Sequence, residues 1–323
     1  MAAQGKPELS RLIKIAFSDF WHGNRPAEVM AGNPIYRMLS RHFELELSPN
    51  PDFLVYSCFG KRYLSYRCVR IFYTGENVRP DFSECDYAFS FDFPTDHRNY
   101  RLPLYRFYAH FDRLLEPRDF TSLPSGRKFC NFVYSNSAAP ERIEFFERLN
   151  HYRRVDSGGR LLNNVGGRVA DKLAFQAQYR FSIAFENSCH PGYTTEKVLD
   201  ALVAGTVPIY WGNPEIARDF NPDCLINCHD FADFDAVVKQ VEAVDRDPLL
   251  YRKYLEAPVF PDHRLPDFLR EDAIVGRFED IFSASQRNAV ARRSDPVKRY
   301  FLPSNYVLGA RNVYRRMRRA LAG

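Results

Sequence analysis

Short apolar runs alternate along this chain with stretches of helical spacing. Leu12 to Phe17 is the first run, followed by the loop Ser18-Asp-Phe-Trp-His-Gly-Asn. Similar runs at Phe53 to Cys58, Val69 to Tyr73, Tyr87 to Phe91 and Phe129 to Tyr134 have the length of buried strands. Between the first two, Pro34 to Phe43 puts Ile35, Met38 and Leu39 on one helical face. Pro140 to Tyr152 predicts an amphipathic helix carrying Ile143, Phe145, Phe146 and Leu149. A loop rich in glycine and asparagine follows at 157–167, then a helix from Ala170 to Tyr179. Towards the end come a short strand at Asp223 to Cys228, a helix in 230–247 opened by aspartate, and the proline-broken stretch 258–267. Strands separated by helices predict an α/β protein.

The densest pattern lies in 181–213. Phe181 to Phe185 reads as a strand, with Thr194 or Thr195 as the N-cap of a helix whose apolar face is Val198, Leu199, Ala201 and Leu202. Gly205 stops the helix, and Val207 to Trp211 returns as a strand. Such a βαβ unit calls for a parallel sheet and a right-handed crossover. Ligands in these folds sit beyond the strand's carboxyl end, at the following helix N-terminus. Glu186, Asn187, Tyr193, Glu196 and Lys197 crowd there. A lysine in a first helical turn opposes the helix dipole, so an anion such as a phosphate is one natural reason for it. A solvated turn with a neighbouring Glu–Lys pair is the plainer alternative.

The ordered pattern FENSxxxxYxTEK followed by AxxxGxVPIYWG resembles the donor-site signature of the α1,3/4-fucosyltransferases, especially bacterial enzymes making Lewis-type antigens. The likeness runs from about Phe17 to about residue 285. It implies a GT-B-like fold, two Rossmann-like domains facing each other across a cleft. It also implies that Glu76, in Tyr73-Thr-Gly-Glu-Asn, is the general base; read alone, that glutamate is an ordinary turn residue. By the same resemblance Arg142 contacts the diphosphate and Tyr73 lies near the donor, while Lys197 and the Tyr193 hydroxyl are the local donors for the leaving group. Asn187 and Glu196 would bond donor hydroxyls, and Glu186 would be either a donor contact or a structural partner for a loop N–H. Phe20, Trp21 and His22 fall on the acceptor side, where they could stack on sugars or simply pack.

The chemistry fits that assignment. A nucleoside diphosphate leaves readily once positive charge surrounds it, and the acceptor hydroxyl needs one base. Glycoside hydrolysis normally needs two carboxylates about one bond.

Composition narrows the class further. A length of 323 residues fits two domains. We expect 1–152 as the acceptor-side domain with the base, 153–290 as the donor-side domain and 291–323 as a basic tail. Residues 292–323 hold nine Lys/Arg and one Asp, leaving 36 basic against 39 acidic side chains elsewhere. Within them Val313, Met317 and Leu321 share a face among arginines, the pattern of a basic amphipathic helix on an anionic membrane surface. No apolar run approaches the ~20 residues of a membrane span. Lys14 interrupts the first apolar segment, which argues against a signal peptide. Seven irregularly spaced cysteines fit reduced thiols in the cytoplasm. Cys224, Cys228 and His229 lack a second ligand pair at zinc-site spacing.

There is no G-x-G-x-x-G motif, and the D-x-D at Asp233 reads as an N-cap. No metal site and no obligatory cofactor are expected; a divalent cation would at most stimulate. The expected partners are GDP-fucose, an oligosaccharide acceptor and the membrane surface, with no nucleic acid. The expected function is an inverting α1,3-fucosyltransferase acting on the GlcNAc 3-hydroxyl of Galβ1-4GlcNAc-type acceptors, in Lewis X or lipopolysaccharide synthesis. Alternatives are another nucleotide sugar or acceptor, including α1,4 transfer, or a non-catalytic glycan- or nucleotide-binding protein.

Overall fold

The computed structural model describes residues 12–284 and 289, apart from 117, 119 and 122. They form two α/β units, each built on its own parallel sheet. Unit 1 comprises the described residues through Ser90, Pro94–Leu102, and those from Phe268 onward; unit 2 comprises Phe91–Phe93 and Pro103–Asp267.

Unit 1 contains β1 (Ile13–Ser18), β2 (Leu45–Leu47), β3 (Phe53–Tyr56), β4 (Val69–Tyr73), β5 (Tyr87–Ser90) and β6 (Asn99–Arg101). They hydrogen-bond in the order β2-β1-β3-β4-β5-β6, with Ile15 opposite Phe53, Phe53 opposite Val69 and Ile71 opposite Tyr87. Every residue of β3 and β4 is buried, which is why β3 reads as a continuous apolar run and β4 as one interrupted only by Arg70. Helices α1 (Pro26–Gly32) and α2 (Pro34–Leu39) share Asn33, which ends the first and caps the second by accepting the Tyr36 N–H at 3.0 Å.

In unit 2 the strands are β7 (Lys128–Phe132), β8 (Val155–Ser157), β9 (Tyr179–Phe185), β10 (Val207–Trp211) and β11 (Ile226–Asn227), ordered β11-β10-β9-β7-β8. Phe181, Ile183 and Phe185 of β9 lie opposite Val207, Ile209 and Trp211 of β10. The helices are α3 (Pro140–Tyr152), α4 (Lys172–Gln176), α5 (Glu196–Val203), α6 (Phe234–Arg246) and α7 (Pro248–Glu256). One face of the sheet buries Phe132, Ile183 and Ile209 against Phe145, Leu149, Val237, Val241 and Val244. Asp233 caps α6 through the Ala236 N–H at 2.8 Å, as its sequence position predicts.

The α/β class and the two parallel sheets agree with expectation, but the chain is divided differently. An expected boundary after residue 152 would cut unit 2 between α3 and β8, although β7 pairs with both β8 and β9. The helix α8 (Glu271–Ser283), expected with the donor-side domain, belongs to unit 1. There Phe278 stacks on Phe89 at 4.3 Å, Phe282 contacts Phe53 at 4.8 Å, and Glu271 pairs with Arg41 and His42 at 2.8 and 2.7 Å. Local pattern marks strands but not the sheet each one joins.

The basic stretch 292–323 lies outside the described residues. Among the described residues, no helix is long and apolar enough to cross a membrane, and no group of three or more His, Cys, Asp or Glu is placed to hold a metal ion.

Candidate functional site

In unit 2 the motif residues converge where β9 ends and α5 begins. Glu186 follows β9 directly, still donating its N–H to the Trp211 carbonyl at 2.8 Å. Its carboxylate is 0% exposed and fully engaged. Oε1 accepts the Thr195 N–H at 2.7 Å; Oε2 accepts the Thr195 hydroxyl at 2.7 Å and the Lys197 ammonium at 2.8 Å. Thr195 is the N-cap of α5 but makes no capping bond with its own side chain. Glu186 brings negative charge to that helix end instead.

This alters the meaning of Lys197. The anion that a first-turn lysine calls for is present within the chain, as Glu186 at 2.8 Å with Glu196 at 3.7 Å. Burial opposes the charged amine, yet Glu186 and Glu196 outweigh it and push Lys197 well above its ordinary range. Burial likewise works to raise the Glu196 carboxyl, but Lys197 and Lys172 hold it below its usual value. The bond from the Thr195 N–H is of the kind expected of Glu186 as a structural partner.

Arg142 is also 0% exposed. Its guanidinium lies 4.0 Å over the Tyr134 ring, and Nη1 donates to the Asn136 carbonyl at 3.1 Å. Nη2 reaches the Phe185 and Glu186 carbonyls, both at 2.9 Å, and Asn187 Oδ1 at 3.0 Å. Arg142 thereby fixes the backbone that carries Glu186 and Asn187. Arg142, expected to contact the diphosphate, here bonds the Asn136, Phe185 and Glu186 carbonyls and the Asn187 side chain, and its Nε has no hydrogen-bond partner among the described residues. Tyr193 is buried with its ring edge-on to Phe91 at 5.0 Å.

Several supporting residues were not expected from the sequence. Asn213, directly after the motif, accepts the Gly192 N–H at 2.7 Å and donates to the Thr194 hydroxyl at 3.1 Å. Gly212, at φ 150°, leaves no room for a side chain, since a Cβ would stand 2.5 Å from Glu186 Cγ. Tyr134 donates to the Ile183 carbonyl at 2.9 Å and accepts the Phe185 N–H at 2.7 Å. Lys172 pairs with Asp200 at 2.7 Å. Burial, then the charges of Glu196 and Asp200, push the Tyr108 phenol up. Of these, Gly212, the last residue of the long motif, and Asn213 directly after it had a signal.

Unit 1 carries the other candidates. Glu76 sits half-buried just beyond β4. Thr74, buried, accepts the Glu76 N–H at 2.9 Å and donates its hydroxyl to the Glu76 carbonyl at 2.8 Å, so one side chain shapes the turn. Burial pushes the nearby Cys58 thiol up to about 11, and the Glu76 charge adds to the effect.

Tyr73, Phe20, Trp21 and His22 form one aromatic cluster. Phe20 stacks on His22 at 5.1 Å and Tyr73 at 6.2 Å, while Trp21 meets Phe59 edge-on at 5.8 Å. Phe20 and Trp21 are only 5% and 7% exposed, so their rings serve packing first. Burial pushes His22 down to about 4, and its Nε2 lies 2.9 Å from Asn33 Nδ2. The loop is pinned by Asp19, at φ 61°, which accepts the Arg62 and Tyr63 N–H groups at 3.1 and 2.8 Å. Its carboxyl is raised by burial.

Comparison with known proteins gives this geometry a family. Residues 15–108 match the alpha-(1,3)-fucosyltransferase FucT N-terminal domain, and residues 124–257 match the C-terminal part of glycosyltransferase family 10 (fucosyltransferase). An alpha-(1,3)-fucosyltransferase of Helicobacter pylori is 34% identical over 79% of this chain, which spans 59% of that protein's length. A crystal structure of an α1,3-fucosyltransferase with GDP-fucose superposes with a TM-score of 0.73 at 29% identity, covering 88% of this chain and 94% of that one. The GDP complex of an α1,3-fucosyltransferase gives 0.73 at 28% identity, over 91% and 95% of the two chains. The chain belongs to the glycosyltransferase family 10 fucosyltransferases.

Proposed function

We propose that this protein is an inverting α1,3-fucosyltransferase that moves fucose from GDP-fucose to the 3-hydroxyl of GlcNAc in Galβ1-4GlcNAc-type acceptors. The observation that carries the reading is the likeness over 94% of the length of a solved α1,3-fucosyltransferase crystallised with GDP-fucose. The placement of Tyr193, Glu196 and Lys197 around the N-terminus of α5, beyond the carboxyl end of β9, supports it, because ligands of parallel α/β folds sit there.

Glu76 takes the proton of the acceptor hydroxyl as that oxygen bonds to the anomeric carbon of fucose. The bond from that carbon to the diphosphate breaks on the opposite face, and GDP departs with the electron pair. Lys197, Tyr193 and the first-turn N–H groups of α5 hold the diphosphate, so the leaving group needs no proton. Asn187 and Glu196 bond the sugar hydroxyls, and Glu196 faces the positive charge that develops on the ring. Tyr73 lies beside the donor. Arg142 acts through Asn187 and the carbonyls beyond β9, as its buried contacts indicate. Phe20, Trp21 and His22 shape the acceptor side. Residues 292–323, with nine basic side chains against one acidic, would hold the enzyme to an anionic membrane surface at the cytoplasmic face, near lipid-linked acceptors.

The test is one incubation with GDP-fucose and N-acetyllactosamine, read by mass spectrometry and by linkage analysis of the product. A single added deoxyhexose on the GlcNAc 3-position is the expected result. No product here but transfer from another nucleotide sugar would redirect the donor assignment. GDP binding with no transfer to any glycan would mark a binding protein.

A further inference from the structure

We propose that Asp92 and His190 are positioning residues of the donor site, a clip that holds the turn bearing Tyr193. The inference rests on the reading of that turn as a diphosphate-sugar site.

Phe91–Phe93 is a three-residue excursion assigned to unit 2, although the segments on either side belong to unit 1. Each of its residues meets the donor turn or what supports it. Phe91, 0% exposed, packs with the Tyr193 ring at 5.0 Å and an interplanar angle of 76°. Asp92 Oδ1 lies 3.2 Å from His190 Nε2. The Phe93 ring receives the Arg218 guanidinium at 3.6 Å, and Arg218 pairs with Glu215 at 2.9 Å.

His190 is the handle of the turn. Its N–H donates to the Gly212 carbonyl at 3.2 Å, and its carbonyl accepts the Tyr193 N–H at 3.0 Å. The His190 imidazole therefore sits on backbone that ends at Tyr193, and its Nε2 meets Asp92 at 3.2 Å. Asn213 pins the inner side of the same turn through the Gly192 N–H at 2.7 Å. The two pins differ in kind. Asn213 is fully buried, whereas the side chains of His190 and Asp92 are 38% and 23% exposed. A pair that open to water adds little to fold stability, but displacing a substrate-holding group weakens its grip on the ligand.

The experiment is calorimetry of GDP binding and steady-state kinetics on full-length D92A, D92N, H190F and the D92A/H190F double variant, with melting temperatures alongside. D92A should weaken GDP affinity and raise KM for GDP-fucose about fivefold to tenfold, the scale of one partly exposed charge-assisted bond. Turnover should stay within about twofold, and the melting temperature within about 2 °C. D92N keeps an acceptor for the imidazole N–H and should restore most of the affinity. H190F should match D92A, and the double variant should add nothing, as expected of partners in one interaction. Equal GDP affinity in the unaltered and D92A chains overturns the clip alone. Additive losses, or a D92N as impaired as D92A and unfolding at lower temperature, overturn it by assigning the two residues to separate or purely structural roles. Failure of the unaltered chain to bind GDP sinks the donor reading beneath it, a distinguishable result.

Discussion

The two stretches that carry the family motifs end in opposite environments. In unit 2, Glu186, Thr195, Lys197 and Arg142 form a closed electrostatic assembly, with two of the four side chains at 0% exposure. In unit 1, Glu76 sits half-buried on a short turn whose shape one threonine sets. A group that must hold a diphosphate in the same place at each turnover gains from burial and mutual pairing. A group that must lose and regain a proton has to stay within reach of water. On the function proposed above, motif residues of similar chemistry serve as framework in one place and as reagent in the other.

The most demanding challenge to that contrast is Arg142→Ala. It strips the partner from three carbonyl groups and Asn187, and should cost about 4 kcal/mol of stability in a denaturant titration. A loss below about 1 kcal/mol would deny its framework role. Glu76→Gln should leave GDP affinity and melting temperature intact while lowering turnover by about 10²-fold. Near-normal turnover would remove Glu76 from the chemistry and, with it, the contrast. Lys197→Ala should weaken GDP binding by about 2 kcal/mol, the scale of a charge-assisted hydrogen bond. Unchanged affinity by calorimetry would mean that Lys197 serves only Glu186.

Two further effects concern unit 1 alone. Thr74→Val should lower turnover about tenfold at a stability cost of about 1 kcal/mol, with Thr74→Ser close to the unaltered chain. Equal turnover in both variants would show that the turn holds Glu76 without the hydroxyl. The other effect, seen only as the pH falls, belongs to His22. Its pKa falls from 6.5 in the unfolded chain to about 4 in the fold, because burial disfavours the imidazolium. The unfolded state therefore binds the extra proton more readily. His22 contributes stability that is complete above about pH 6.5 and fades as the pH drops towards 4. Denaturation midpoints across that window should flatten in His22→Asn; an unchanged slope would place the titration elsewhere.

Much of this site is legible in the amino-acid order alone, for reasons visible in single residues. Glu186, Asn187, Tyr193, Glu196 and Lys197 fall within one βαβ unit, so neighbours in sequence had to become neighbours in space. Asp92 and His190 lie 98 positions apart, and no local pattern joins them. Arg142 shows the limit from the other side. Its place at the start of α3 is legible, but whether its fork faces solvent or carbonyl oxygens depends on strands β7 and β9 folding around it.

Spacing along the chain sets the elements. Val69–Tyr73, Pro140–Tyr152 and Val207–Trp211 have the bounds that apolar positions predict, because burial on one face or two is a local property of spacing. The choice of sheet for each strand, the place of α8 in unit 1 and the pairing of Lys197 with Glu186 emerge only when the chain is folded. Strand partners and buried ion pairs are settled by contacts between distant segments. Such contacts leave no periodic trace in the chain.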